Sequence, residues 1–122
     1  MKFYICKHCG KVITLLNDVK VPTICCGEPM EELVGNTTDA ALEKHVPVVE
    51  QKDNQVFVRV GEVEHPMTEE HYIEWIVVET EKQTYIQKLQ PNQKPEATFM
   101  TQEPIVCAYA YCNLHSLWKK EL

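Results

Sequence analysis

Four of the six cysteines, Cys6, Cys9, Cys25 and Cys26, fall near the start of the chain, in a stretch that carries little else able to form a core. A fold below about 40 residues buries too little apolar surface to stand by itself and draws its cohesion from a metal or from disulfides. The chain opens Met1-Lys2-Phe3-Tyr4-Ile5-Cys6. That start lacks the apolar stretch of about 7–15 residues that an export signal needs. The expectation is therefore a cytoplasmic protein, where thiols stay reduced and metal ligation comes before disulfides.

The spacing supports a metal. Cys6 and Cys9 form a C-x2-C pair followed by Gly10, which lets two thiolates point at one ion from a tight turn. Cys25 and Cys26 are adjacent, and neighbouring strand residues point to opposite faces, so both reach one ion only where the backbone bends. Gly27 and Pro29 are expected to supply that bend. A tetrahedral four-thiolate site for iron or zinc follows. His8 lies inside the C-x2-C turn and is expected to face solvent, because four cysteines already complete the tetrahedron. The polar run Gly35-Asn36-Thr37-Thr38-Asp39 marks a boundary. It separates a small metal-binding module, residues 1–36, from a larger domain, residues 37–122.

The second part reads as short strands. One is expected over Val12–Leu16 in the first module, and others over Gln55–Val60, Tyr72–Thr80, Thr84–Leu89, Ala97–Met100 and Ile105–Tyr111. Ala40–Lys44 suits one helical turn. Short strands at near-regular spacing without long helices suggest a mainly β protein, with an antiparallel β-sandwich after the first module. No apolar run approaches the ~20 residues that span a membrane. The net charge of −6 argues against a nucleic-acid partner, and it means that an anionic substrate would need local positive charge.

Outside His8, the histidines are His45, His65, His71 and His115. Each falls at an expected strand end or turn: His45 at the start of a strand, His65 before Pro66, His71 before the Tyr72 strand, and His115 closing Cys112-Asn113-Leu114-His115. Strand parity places Val106, Ala108, Ala110 and Cys112 on one face and Cys107 on the other with Tyr109 and Tyr111. Cys112 is thus a candidate ligand, and Cys107 reads as a small buried hydrophobe. Four imidazoles and one thiolate are one ligand too many for tetrahedral structural zinc and one short of an octahedron. Such a set suits a redox-active iron with an open position. Lys44, just before His45, can place an ammonium near that position and attract a small anion. Glu43 can approach the vacancy when no substrate is bound. Both also read as solvated charges on a helical turn.

Over essentially its whole length the sequence resembles desulfoferrodoxin, the two-iron form of superoxide reductase. The amino-terminal part is similar to the desulforedoxin-type module through C-x2-C-G at Cys6–Gly10 and C-C-G-x-P-M at Cys25–Met30. The remainder carries Glu43-Lys44-His45-Val46-Pro47, His65-Pro66-Met67, His71-Tyr72-Ile73-Glu74-Trp75-Ile76 and Cys112-Asn113-Leu114-His115. The resemblance implies two irons per chain. One is held by Cys6, Cys9, Cys25 and Cys26; the other is square-pyramidal, with His45, His65, His71 and His115 in the plane and Cys112 axial. It also implies an immunoglobulin-like sandwich, a homodimer, Lys44 as the residue that attracts superoxide, and Glu43 as a ligand of oxidised iron. The family usually has glycine after its last histidine, where this chain has Ser116; the change bears on the turn and not on the ligand set.

The reaction expected from that resemblance is one-electron reduction of superoxide to hydrogen peroxide, with an external donor such as a rubredoxin-like protein. An iron-binding electron-transfer module that turns over no superoxide is the alternative. A zinc-ribbon-like regulator accounts for the first four cysteines but leaves the histidines idle.

Overall fold

Apolar and polar residues alternate at period two in Gln55–Val60 and Glu96–Met100, and both segments form strands with one face buried. The computed structural model describes residues Met1–Leu122, which divide into two units, Met1–Val34 and Gly35–Leu122. No helix is long and apolar enough to cross a membrane.

The first unit contains β1 (Phe3–Ile5), β2 (Val12–Thr14), β3 (Ile24–Cys25), β4 (Glu28–Pro29) and β5 (Glu31–Leu33). Antiparallel pairing gives a sheet of order β2-β1-β5 and a separate β3-β4 ribbon. The strand expected over Val12–Leu16 stops at Thr14, and the Leu16 side chain stands in solvent. Cys25 pairs with Glu28 across a two-residue loop in which Cys26 (φ 53°) and Gly27 (φ 79°) are both left-handed. Two consecutive positive φ values define the hairpin turn whose twist matches the flanking strands. The bend at the vicinal cysteines therefore comes from Cys26 and Gly27, while Pro29 lies in β4 rather than in the bend.

The second unit begins with a single helical turn, α1 (Leu42–His45), and continues through β6 (Pro47–Lys52), β7 (Gln55–Val60), β8 (Ile73–Glu79), β9 (Thr84–Lys88), β10 (Glu96–Met100), β11 (Cys107–Cys112) and β12 (Ser116–Glu121). Two antiparallel sheets form, β10-β7-β6 and β12-β11-β8-β9. They enclose a core of Val56, Val58 and Val60 from β7, Phe99 from β10, Ile73, Ile76 and Val78 from β8, and Ala108, Ala110 and Cys112 from β11. This is the immunoglobulin-like sandwich, mainly β. In this unit β12 has no counterpart among the expected strands, and β6 begins at Pro47 rather than at His45. His45 closes α1 instead of starting a strand, because Val46 N–H still donates to Leu42 C=O and the strand begins only at Pro47.

One irregularity bears on the site. In β8, Ile73 opposes Cys112 and Trp75 opposes Tyr111, so Glu74 is an extra, bulged residue. The bulge explains why Ile73 and Ile76, three apart, both face the core. Bulges bend a strand and re-aim its end, and this one lies at the end of β8 that follows His71.

Candidate metal centres

In the first unit the sulfurs of Cys6, Cys9, Cys25 and Cys26 lie within 4.8 Å of one another. The Cys9 and Cys25 sulfurs are 3.7 Å apart. A tetrahedron with metal–sulfur bonds of about 2.3 Å has edges of about 3.8 Å, so the cage has the size of one ion. Two turns build it. The Gly10 N–H donates to Cys6 C=O at 2.8 Å, folding the C-x2-C loop, with Gly10 at φ 82°. The Cys26-Gly27 turn brings the other pair. The Cys9 backbone N–H, aimed at the Cys6 sulfur, pulls that thiol down to about 6, against the opposing effect of burial. Cys26, facing the Cys6, Cys9 and Cys25 sulfurs, is pushed up to about 12. Four thiols this close resist losing four protons without a cation among them. Cys6 is buried, whereas Cys9 and Cys26 are exposed, so the cage has one edge in solvent. His8 is exposed beside it, 3.2 Å from the Glu28 carboxylate.

In the second unit His45, His65, His71 and Cys112 place their ligating atoms within 4.8 Å of one another. His115 joins the same cluster: its Nδ1 is 3.2 Å from His45 Nε2 and 3.9 Å from the Cys112 sulfur. The four rings form a near-square. Ring centres of His45–His65, His65–His71, His71–His115 and His115–His45 are 4.6, 4.6, 5.1 and 5.0 Å apart, each pair edge-to-face, and the His45–His71 diagonal is 6.4 Å. Cys112, fully buried, reaches the cluster from the hydrophobic core. Burial pushes its thiol up, while the backbone N–H groups of Leu114 and His115 work the other way.

Hydrogen bonds fix which atom each ring offers. His45 Nδ1 is 2.7 Å from Ala41 C=O, and His65 Nδ1 is 2.6 Å from Pro66 C=O. A carbonyl only accepts, so both Nδ1 atoms carry the proton and both Nε2 atoms are bare acceptors. Those two Nε2 atoms face each other at 3.2 Å, an arrangement with no hydrogen to share. His71 Nε2 is buried and has no hydrogen-bond partner at all. Burial, reinforced by the neighbouring imidazoles, holds His65 down at about 4 and lowers His45 and His71. The residues thus fit a cation, which can satisfy all the converging nitrogens at once.

The segments that carry these side chains are held from outside the cluster. Trp118, with no exposed surface, packs its ring 4.7 Å from that of His45 and donates Nε1–H to His115 C=O at 2.9 Å. Asn113 grips both sides of His71: its Oδ1 accepts from Tyr72 N–H at 2.9 Å and its Nδ2 donates to Glu70 C=O at 2.9 Å. Thr68 closes the turn, its Oγ1 accepting from His71 N–H at 3.1 Å. In the sequence Asn113 stands only as a member of Cys112-Asn113-Leu114-His115. Its one sequence signal is a buried-strand end followed by an amide side chain. Glu43 and Lys44 are both exposed on α1, and the Lys44 charge contributes, after burial and the other imidazoles, to lowering His45 and His71. Cys107 is buried on the face of β11 opposite to Cys112 and takes no part in the cluster.

Comparison with known proteins agrees with this geometry. A family model described as Desulfoferrodoxin matches residues 37–121. A desulfoferrodoxin from Clostridium acetobutylicum is 45% identical over 124 residues, covering 100% of this chain and 97% of its own. One from Nitratidesulfovibrio vulgaris is 44% identical, covering 98% and 95%. Among solved structures, the superoxide reductase from Treponema pallidum superposes with a TM-score of 0.82 at 34% identity, covering 98% of each chain. A superoxide reductase (1Fe-SOR) from Giardia intestinalis matches 66% of this chain and 99% of its own, at 36% identity and TM-score 0.57.

Proposed function

Because the chain belongs to the desulfoferrodoxin family, we propose that it is a superoxide reductase, an oxidoreductase that passes one electron to superoxide and releases hydrogen peroxide. The observation that carries this reading is the ring of converging imidazole nitrogens over a buried thiol, with His71 Nε2 unsatisfied. His45, His65, His71 and His115 with Cys112 are the proposed ligands of one iron, and Cys6, Cys9, Cys25 and Cys26 those of the other. Iron at the histidine centre supplies one-electron chemistry at the position that five protein ligands leave open.

The chain's own residues do the rest. The carbonyls of Ala41 and Pro66 hold the protons of His45 and His65 on Nδ1 and leave Nε2 free. Full burial of Cys112 keeps its sulfur away from water, and the N–H groups of Leu114 and His115 stabilise the thiolate. Lys44 supplies local positive charge that a chain of net charge −6 otherwise lacks around an anionic substrate. Glu43, on the same exposed turn, is the carboxylate available to the open position after turnover. Solvent reaches this turn and delivers the protons that hydrogen peroxide needs.

The exposed edge of the four-cysteine cage, at Cys9 and Cys26, supports electron entry from a rubredoxin-like donor. A homodimer, a cytoplasmic location, and the division into an iron module, residues 1–36, and a reductase domain, residues 37–122, belong to the same proposal. The test is peroxide yield from superoxide with and without a reduced donor. Stoichiometric donor oxidation, and a rate that falls about tenfold in Lys44→Ala, is the expected outcome. Full-rate activity without any donor, the behaviour of a dismutase, refutes it.

A further inference from the structure

The helical turn that carries Glu43, Lys44 and His45 is four residues long and has no side-chain cap at its N-terminus. A single turn fixes several backbone angles for one or two hydrogen bonds and does not hold its shape unaided. Its support is the loop Gly61–Glu64. Val63 N–H donates to Glu43 C=O at 2.9 Å. At Gly61 the loop lies flat on the turn: a Cβ there would sit 2.6 Å from Glu43 O, 3.0 Å from Lys44 C and 3.1 Å from Val46 O. All three are backbone atoms, which cannot swing aside.

The loop is itself fixed from its other side. Arg59, the only arginine in the chain, donates from one guanidinium nitrogen to Gly61 C=O at 3.3 Å and to Glu62 C=O at 3.2 Å. Within the loop Gly61 N–H donates to Val63 C=O, and His65 N–H closes it on Val60 C=O at 2.9 Å. The partly buried guanidinium therefore sets the orientation of the peptide groups against which the 43–46 main chain rests.

We propose that Arg59 is a positioning residue for the Glu43–Lys44 pair, acting through the Gly61–Glu64 loop that beds the main chain of residues 43–46. The inference rests on the proposed function where it concerns the anionic substrate, but the mechanical part stands apart from it. Arg59 touches no candidate ligand side chain in any hydrogen bond, so its loss relaxes the lysine-bearing turn and leaves the donor atoms in place.

The test uses the full-length chain in two forms. In metal-free protein, amide exchange at Val63 and Val46 reads the bedding directly. Arg59→Ala is expected to speed both by about tenfold, and Lys44→Ala to change neither. In iron-loaded protein, Arg59→Ala is expected to keep the metal content and the thiolate-to-iron absorption. It should slow reaction with superoxide by about fivefold, weaken azide binding similarly and flatten the dependence on ionic strength. The double variant Arg59→Ala/Lys44→Ala should be no slower than Lys44→Ala alone, because both changes act through the same ammonium. Arg59→Lys, which keeps one donor, should recover part of each effect and carries the test if Arg59→Ala does not fold. Unchanged exchange at Val63, additive losses in the double variant, or loss of the histidine-site iron overturns the proposal. If wild-type protein consumes no superoxide, the reductase reading fails, while exchange and azide binding still decide the role of Arg59.

Discussion

Acid should destabilise the metal-free second unit in a narrow and assignable range. His65 is 2% exposed, and burial holds it at about 4 against an ordinary value of 6.5. In the unfolded chain the imidazole takes up its proton near pH 6.5; in the folded one it resists to about pH 4. The unfolded state therefore binds more protons between those values, and stability falls as pH drops through that window. From pH 7 to pH 5 this one residue removes about 2 kcal/mol. His45 and His71, shifted in the same direction by burial, add to the loss. For a unit of this size about 2 kcal/mol lowers the thermal midpoint by on the order of 10 °C. Both tryptophans, Trp75 and Trp118, lie in this unit, so their fluorescence during heating follows it selectively. Iron-loaded protein should hold its midpoint over the same range, because the bound ion keeps the nitrogens deprotonated until it leaves. A metal-free midpoint that is flat or rises between pH 7 and pH 5 refutes the reasoning. So does a His65→Leu variant whose midpoint is as acid-sensitive as the parent's.

Three further outcomes are expected. Ser116 adopts φ 66° at the start of β12, where a side chain strains against the backbone, so Ser116→Gly should raise the denaturant midpoint by the equivalent of about 0.5–1 kcal/mol with an unchanged slope. Asn113→Ala orphans Tyr72 N–H and Glu70 C=O and should cost about 1–3 kcal/mol by denaturant unfolding, with iron lost from the histidine site first on dialysis against chelator. Cys26→Ser should lower iron from two atoms per chain to one, measured by elemental analysis, and leave the histidine-site absorption in place.

Much of the site was readable because ligand chemistry leaves marks that do not depend on the fold. Strand parity alone separated Cys112 from Cys107, and the structure puts one in the core and the other on the far face of β11. His65, His71 and His115 lie outside the strands, as expected, whereas His45 closes α1 instead of opening a strand. In the second unit the strand with no expected counterpart, β12, and the one anticipated only by its start, β6, are both sheet edges: β6 opens with Pro47 and ends in polar residues, and β12 has one apolar pair, Leu117-Trp118, before its charges. Edge strands are half solvated and tolerate such composition, so period and propensity give no warning of them. The bulge at Glu74 is invisible in an unbroken apolar run because only pairing with β11 creates it. Asn113 lies 41 residues from Tyr72 and 43 from Glu70, and no local pattern announces partners at that distance. Arg59 is different. Its partners are two and three residues away, but its purpose depends on the 43–46 main chain lying beneath the loop.

The histidine cluster gathers its members from opposite ends of one folding unit. His45 and His115 are 70 residues apart, whereas Cys6 and Cys25 are separated by 19. A bound ion is then also a cross-link, and the chain length it ties off governs how far it restricts the unfolded ensemble. By the loop-closure relation used for disulfides, tying off 70 residues is worth on the order of 4 kcal/mol, and a loop of about 20 residues somewhat over 3. Each ion thus acts as a staple on the denatured chain. The one in the sandwich stitches the helical turn that opens the unit to the turn before β12, so a nascent chain closes that staple only after His115 has been synthesised.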